Sequence, residues 1–477
     1  MILDSKNGRG NGVTQPSLDT IEPEIRQGLP GEATRWLEAM RQLAYWEDRG
    51  ADLIRPRPDE SPADFECRPK LTAGLTRRAI GELAKGLYQP GPTRELSAPA
   101  GPVTWYDQTL TANQADSIWQ TADAFAHLHG VFAIGCLPTG SEAMPVRLDP
   151  WRADEFAVWL ADDDPRTPWA VCVRSLFSAR RQVRYQAWTS EEVRTYWTEP
   201  GDTDAIGKQG RVCRIDPELS GPHTMGVLPF VFVHDSPPVC EFWTAGKGKA
   251  LADADRVLDI TMSDLAQAIT AFCIPPTFVE NAASVSRSVH RPGSFVELLA
   301  ANRDKDVRVF HAQPDLQIEE VWHHVRAYAN HVLQKLDLPL TVDLEATSGV
   351  ESGVAIVARR MPLLQLWQAR AVHFEGYERR LKEVVLQVGG SYFGRPDLTA
   401  AATADLLVEF PPPRLPLPTP DRNDADEWEL TQGLTSRVRL MMERHGLTRK
   451  QALGRLRQIA EDTAEEGAIL TNSEEGD

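Results

Sequence analysis

The sequence predicts an α+β fold, mainly helical. Three observations predict it. Apolar residues recur at three and four along about 249–272, 316–336 and 353–388, the pattern of long amphipathic helices. Between Val131 and Val233 the texture changes to short β-branched and aromatic runs with turn residues between them, as in an antiparallel sheet. A smaller group of β-like runs, 276–313, lies between two of the helices and reads as an insert into a helix pair.

Composition narrows the class. The chain has 477 residues, 42% of them hydrophobic, enough for roughly two to four domains. A net charge of −17 argues against an ordinary basic DNA-binding face; nucleic acid would be guided or passed through, not gripped. Cys67, Cys136, Cys172, Cys213, Cys240 and Cys273 form no CxxC pair and read as buried free thiols of a reducing compartment. The N-terminal MILDSKNGRGNGV is polar and unlike a signal peptide. No apolar run approaches the roughly 20 residues that span a bilayer, so a soluble, intracellular-type chain is expected with no membrane partner.

Taken in order, residues 1–30 are expected to be disordered. Trp36, Met40, Leu43 and Ala44 fall at helical spacing, and a second helix is expected over about Lys70–Tyr88 on Leu71, Leu75, Ile80, Leu83 and Leu87. The segment 89–102 is a Pro/Gly break. A helix over about Thr111–Leu128 follows, capped by Thr111 or Asn113 and closed by Gly130. His127 and His129 lie two apart at its end, a spacing that suits a metal on a strand and not here. The runs VFAIGCLP, EFAVWLA, AVCVRSLF, RQVRYQAWT, VRTYWTE and VLPFVFVH make the sheet. The dense acid triplet Asp162, Asp163, Asp164 sits in a proline-flanked turn and reads as a solvated loop.

Gly246-Lys247-Gly248-Lys249 invites a phosphate-loop reading. A Walker loop needs GxxxxGK followed by Ser or Thr; Trp243 stands at the first glycine position and Ala250 at the Ser/Thr position. No nucleotide or other cofactor is expected. The helix beyond it carries Leu251, Ala254, Leu258, Met262, Leu265, Ile269 and Phe272 on one stripe, with Asp253, Asp255, Asp259 and Asp264 off it, and Pro275-Pro276 stops it. PTFVEN, GSFVELLA and DVRVFHAQ are three expected strands of the insert. Its basic residues Arg287, Arg291, Arg303, Lys305 and Arg308 are balanced by Glu280, Glu297, Asp304 and Asp306. On the next helix His323, His324 and His331 lack the i, i+4 spacing of a zinc helix.

The loop 338–352, LPLTVDLEATSGVES, is polar and acidic. It opens the longest helix, with Leu364, Trp367, Ala371, Phe374, Tyr377, Leu381, Val384 and Val388 in phase. Pro362 is expected to kink that helix or mark its start, and Gly389-Gly390 to end it. EFPPPRLPLPTPDR, 409–422, is an extended connector. Gly433 closes a short helix, SRVRLMMERHG forms another, and Thr448-Arg449-Lys450-Gln451 is a capping box opening a third. After Arg457 come seven acidic residues and no Lys or Arg, so 464–477 is expected to be a disordered tail.

This order of elements resembles the portal (head–tail connector) proteins of tailed bacteriophages over about 31–463. The helix 249–272, insert 276–313 and helix 316–336 resemble the stem–clip–stem unit. The loop 338–352, with Ser352-Gly353-Val354-Ala355 opening the long helix, resembles the tunnel loop and kinked wing helix. The sheet ending LPFVFVH resembles the wing, and 424–463 with Gly433-Leu434-Thr435-Ser436 the crown-side end. The boundaries implied are 31–245 wing, 246–273 stem, 274–315 clip, 316–337 second stem, 338–352 tunnel loop, 353–410 long wing helix and return strand, and 411–463 connector and crown-side helices.

The resemblance implies a homo-oligomeric ring, a dodecamer in the virion, at one capsid vertex, assembled in the host cytoplasm. Double-stranded DNA would be packaged and ejected through its channel without sequence readout. The large terminase subunit, a head-completion adaptor, and the major capsid and scaffold proteins would be its partners. It implies no catalytic activity. Twelve copies would carry roughly −200, and an acidic lumen would repel DNA phosphates. Leu340, Thr341, Asp343, Glu345, Thr347 and Ser348 would line the channel; Arg303, Lys305 and Arg308 would contact partners at the clip. The alternatives are another virion structural or adaptor protein, or a packaging-motor enzyme, which would need a Walker pair or a clustered acidic metal site.

Overall fold

The structure is a computed structural model. It describes residues 17–58, 60–88, 91–141, 144–179, 181–201, 212–273, 277–280, 282–285, 298–300, 308–311, 317–336, 338, 353–411, 426–428, 430–432, 435–445 and 449–474. The fold is mixed α+β, predominantly helical, with antiparallel sheets.

The described residues begin with a helix, inside the stretch 1–30 where disorder is expected. In α1 (Leu18–Arg26) the residues Leu18, Ile21 and Ile25 share one face and are buried, which offsets the ordering cost that polar neighbours alone would not. In α2 (Ala33–Trp46) Trp36 is buried, its indole N–H donating to the Phe156 carbonyl at 3.1 Å, whereas Met40 is exposed. Ser61 accepts the Asp64 N–H and Pro62 starts α3 (Pro62–Cys67), a well-formed cap. Next, α4 (Leu75–Ala84) is shorter than the expected 70–88; 71–74 is not helical, and Gly74 has φ 63°.

The Pro/Gly break contains β1 (Thr93–Leu96). The single helix expected from Thr111 is two, α5 (Ala100–Ala112) and α6 (Ala115–His129). Asn113 therefore ends α5 and does not start a helix. Its amide donates to the Thr109 and Val146 carbonyls and accepts the Leu148 N–H, each at 2.8 Å, stitching the helix to a strand. Gly130 closes α6 with φ 93°, and a β-carbon there would lie 1.9 Å from the Thr244 carbonyl oxygen, so glycine is required.

Eight strands follow: β2 (Val131–Pro138), β3 (Val146–Trp151), β4 (Phe156–Ala161), β5 (Asp164–Phe177), β6 (Gln182–Trp188), β7 (Glu192–Thr198), β8 (Cys213–Pro222) and β9 (Phe230–His234). They form antiparallel sheets ordered β3-β2-β9 and β4-β5-β6-β7-β8. The sequence pattern misses β3 and β8. Pro150 interrupts the first, and Pro217 with Gly221 the second; both are terminal strands of their sheets, where proline is tolerated.

Next come α7 (Gly248–Cys273), β10 (Thr277–Glu280), β11 (Ala282–Val285), β12 (Leu298–Ala300), β13 (Arg308–His311) and α8 (Ile318–Lys335). Among its described residues the insert has four strands, where three are expected, in two antiparallel pairs, β10-β13 and β11-β12. The long helix α9 (Gly353–Tyr392) passes through Pro362 and through Gly389-Gly390 without ending at either. It is followed by α10 (Pro396–Ala401) and β14 (Leu406–Glu409), which pairs with β1. The C-terminal helices are α11 (Arg437–His445) and α12 (Arg449–Glu474). The expected disordered tail is thus helical to Glu474; its Ala, Glu, Ile and Leu are fair helix formers, and no proline interrupts them.

Two compact units result. One comprises Met1–Ala39, Leu83–Gly246 and Gly349–Asp477; the other Met40–Glu82 and Lys247–Ser348. In the first, α9 buries Phe374, Leu381, Val384, Val385 and Val388 in a core with Tyr106, Trp119, Phe132 and Phe156, each such side chain worth about 1.5–3 kcal/mol. A separate cluster packs α1 and Trp36 on Cys172, Tyr185 and Tyr196 of the five-stranded sheet. In the second unit α7 packs against α8, which buries Val325, Ala329, Val332 and Leu333.

Candidate functional site

The helix α9 is set by buried charge as well as by its apolar stripe. Arg370, Phe374, Glu378 and Lys382 form one i, i+4 row, and all four are buried. Arg370 reaches α6, with Nε donating to Asp123 at 2.9 Å and Nη2 making a second, closer bond to the same carboxylate oxygen. Its Nη1 donates to the carbonyl and carboxylate of Asp235 at 2.9 and 3.0 Å. His127 Nδ1 lies 2.6 Å from the same Asp235 carboxylate. Burial, reinforced by the Arg370 charge, pushes the His127 pKa down, so a neutral imidazole donates to Asp235. His129 is pushed to about 4 by burial. Both histidines are therefore neutral members of the packed interior. Among the described residues no group of three or more His, Cys, Asp or Glu is placed to hold a metal ion.

Glu378 is the second anchor. Arg94 on β1 donates to it through Nε at 3.0 Å and Nη2 at 2.6 Å, and to Asp116 at 2.7 Å. Tyr88 adds an O–H donor at 3.1 Å. Burial works against the Arg94 charge, but Glu378 and Asp116 outweigh it and its pKa rises. Burial, with Glu378 adding, raises Tyr88 and keeps it a phenol. Lys382 caps α10 from outside, its ammonium donating to the Ala402 and Ala404 carbonyls at 2.8 and 2.6 Å.

In the second unit a comparable row runs along α7. Asp255, Asp259 and Ser263, spaced by four, are buried and accept backbone N–H groups from 71–76. Asp255 takes Leu75 and Thr76, each at 2.7 Å, and so caps α4 from another helix. Asp259 takes Ala73 at 2.7 Å and Ser263 takes Leu71 at 3.0 Å. These acids were expected off the core stripe; the N–H groups of the non-helical segment 71–74 and of the start of α4 explain their burial. Burial raises Asp255 against the opposing pull of Thr76 and Leu75. It lifts Asp259 to about 7, with Asp255 and Asp48 adding to the effect.

Of the channel residues expected from sequence, Leu340, Thr341, Asp343, Glu345, Thr347 and Ser348 lie outside the described residues, as do Arg303 and Lys305. Arg308 opens β13 and stands opposite Glu280 of β10 in the register. His323, His324 and His331 are exposed on α8. Gly246 of the rejected phosphate loop has a packing role: a β-carbon there would lie 2.4 Å from the Gly130 nitrogen. Asp162 and Asp163 form the turn between β4 and β5, and Arg166 holds Asp164 at about 2. Cys136, Cys172 and Cys213 are buried free thiols; Cys67 and Cys240 are exposed. Among the described residues no helix is long and apolar enough to cross a membrane.

No family model matches the chain, and no curated protein does. Solved structures similar to it come from a gene transfer agent (GTA) particle. A chain from the virion of the native particle is 12% identical, with 78% of this chain and 90% of that one covered and a TM-score of 0.39. A chain from the neck of the empty particle, computed with C6 symmetry, is 12% identical over 80% and 91%, TM-score 0.41. A chain from the neck of the native particle, computed with C12 symmetry, is 13% identical over 80% and 92%, TM-score 0.39.

Proposed function

We propose that this chain is the subunit of a portal-type ring through which double-stranded DNA enters and leaves a phage-like capsid. One observation carries the reading: α7 and α8 pack on each other and bracket an insert whose described elements are all strands, and the 40-residue α9 follows. A helix pair with a β tip suits a channel wall that ends in a docking surface, and a helix of that length exceeds what a compact domain needs. Met361 and Val372 on α9 are exposed, apolar surface that a neighbouring subunit would cover.

In this reading the protein acts by position and charge, with no covalent step. The acidic chain, −17 per copy, lines a passage that DNA slides along without adhering. Residues 338–352 face the channel, and the insert, with Arg303, Lys305 and Arg308, docks first a terminase and then a head-completion adaptor. Ring closure uses a heterologous, head-to-tail interface, as in any cyclic assembly of more than two copies. A packaging assay tests the proposal. Capsids assembled with the chain should fill with DNA, and capsids lacking it should stay empty; filling without the chain contradicts the reading.

A further inference from the structure

In the second unit one carboxylate oxygen is buried without a partner. The row on α7 holds 71–76 by three rungs: Ser263 takes Leu71, Asp259 takes Ala73, and Asp255 takes Leu75 and Thr76. Each oxygen of Asp255 accepts one N–H. At Asp259 Oδ1 accepts, while Oδ2 is buried with no hydrogen-bond partner. Oδ2 lies against the Gly50 backbone and the edge of the Tyr45 ring: a β-carbon on Gly50 would be 2.6 Å from Oδ2 and 2.9 Å from Tyr45 Cε1. An anionic oxygen there is cut off from water, whereas a neutral carboxyl costs far less to bury.

The groups around Asp259 are these. Asp255 on α7 and Asp48, just beyond α2, add repulsion to an anion. Arg41 on α2 and Arg256 on α7 act on the adjacent Tyr45; Arg41 is bonded to Asp253 at 2.7 Å and Arg256 is exposed. Arg77 on α4 lies 3.9 Å from Asp48. Tyr45 stays a phenol, raised to about 12 by burial with Asp259 adding. Residues 71–76 carry no titratable side chain.

We propose that Asp259 is a proton-operated clasp on the segment 71–74: with Oδ2 protonated the segment lies against α7, and loss of that proton releases it so that water reaches the carboxylate. Asp255 keeps Leu75 and Thr76, so the opening is local and α4 stays folded. The Ala73 N–H favours the anion, but burial outweighs it and holds Asp259 at about 7. In the open form the carboxyl returns towards about 3.9. The closed form thus keeps a proton that the open form has released, and closure weakens as pH rises through about 7.

Hydrogen–deuterium exchange of the full-length protein tests the clasp, read by mass spectrometry on peptides covering 71–76 and corrected for the intrinsic pH dependence of exchange. From pH 5 to pH 8 protection of this segment should fall by about tenfold or more. Peptides around the buried Val332 and Leu333 of α8 should keep theirs. Asp259→Asn, which still offers Ala73 an oxygen and does not titrate, should abolish the fall. Ser263→Ala removes the neighbouring rung; it should raise exchange at Leu71 at both pH values and leave the pH dependence in place, a check that stands even if Asp259→Asn unfolds. Protection independent of pH in the wild type, the same fall in Asp259→Asn, or an equal fall in α8 would each overturn the proposal.

Discussion

Trp105 stands where a side chain at residue 389 would go. A β-carbon on Gly389 would lie 2.3 Å from the Trp105 ring, and one on Gly390 2.2 Å from the Thr399 hydroxyl. The paired glycines let α5 and α10 approach α9, and the helix runs on to Tyr392. Gly394, with φ 63°, follows the helix end. Gly389→Ala should therefore destabilise the chain by about 1–3 kcal/mol, despite the roughly 1 kcal/mol that alanine gains in a helix. Gly376→Ala, in the same helix with nothing within 4 Å, should stabilise by about 0.5–1 kcal/mol. Thermal melts of the two variants decide; shifts of the same sign would refute the packing account.

Glu378 and Arg94 form a buried ion pair. Glu378→Gln should cost about 3–5 kcal/mol, because the Arg94 charge loses its main partner. The double variant Arg94→Met, Glu378→Leu should recover part of that loss. Urea unfolding measures both, and a double variant less stable than Glu378→Gln would count against the pair as described.

Asp259 gives a pH prediction. Its pKa is about 7 in the folded chain and about 3.9 when unfolded. Between those values the folded chain holds a proton that the unfolded chain has released, so this group's contribution is most favourable below about pH 4 and declines as pH rises to about 7. Asp259→Asn should raise stability at pH 8 by an amount on the order of 2 kcal/mol, with a clearly smaller gain at pH 5. Equal gains at the two pH values, in paired thermal melts, would show that no such titration occurs.

Deleting residues 342–350 tests the channel assignment separately from assembly. Ring formation should persist and DNA filling of capsids should fall. Normal filling by the deletion would remove those residues from the passage.

The fold class was legible because β2 and β9 are short apolar runs, β6 alternates, and the stripes of α7, α8 and α9 follow the helical repeat. The charged rows were not. Arg370 meets Asp123 across 247 positions, Arg94 meets Glu378 across 284, and Leu75 meets Asp255 across 180. A local pattern assigns such residues to a solvated face. One signal was present: Arg370, Glu378 and Lys382 lie in phase with Phe374, on the face that the apolar stripe commits to the core. Likewise Gly389 reads as a stop only while Trp105 is unseen.

Electron microscopy of the purified chain tests the central claim most directly. The account predicts closed rings with a central channel, formed by the protein alone or in the presence of capsid protein. A monomer at every concentration, with no ring even beside capsid protein, would contradict it.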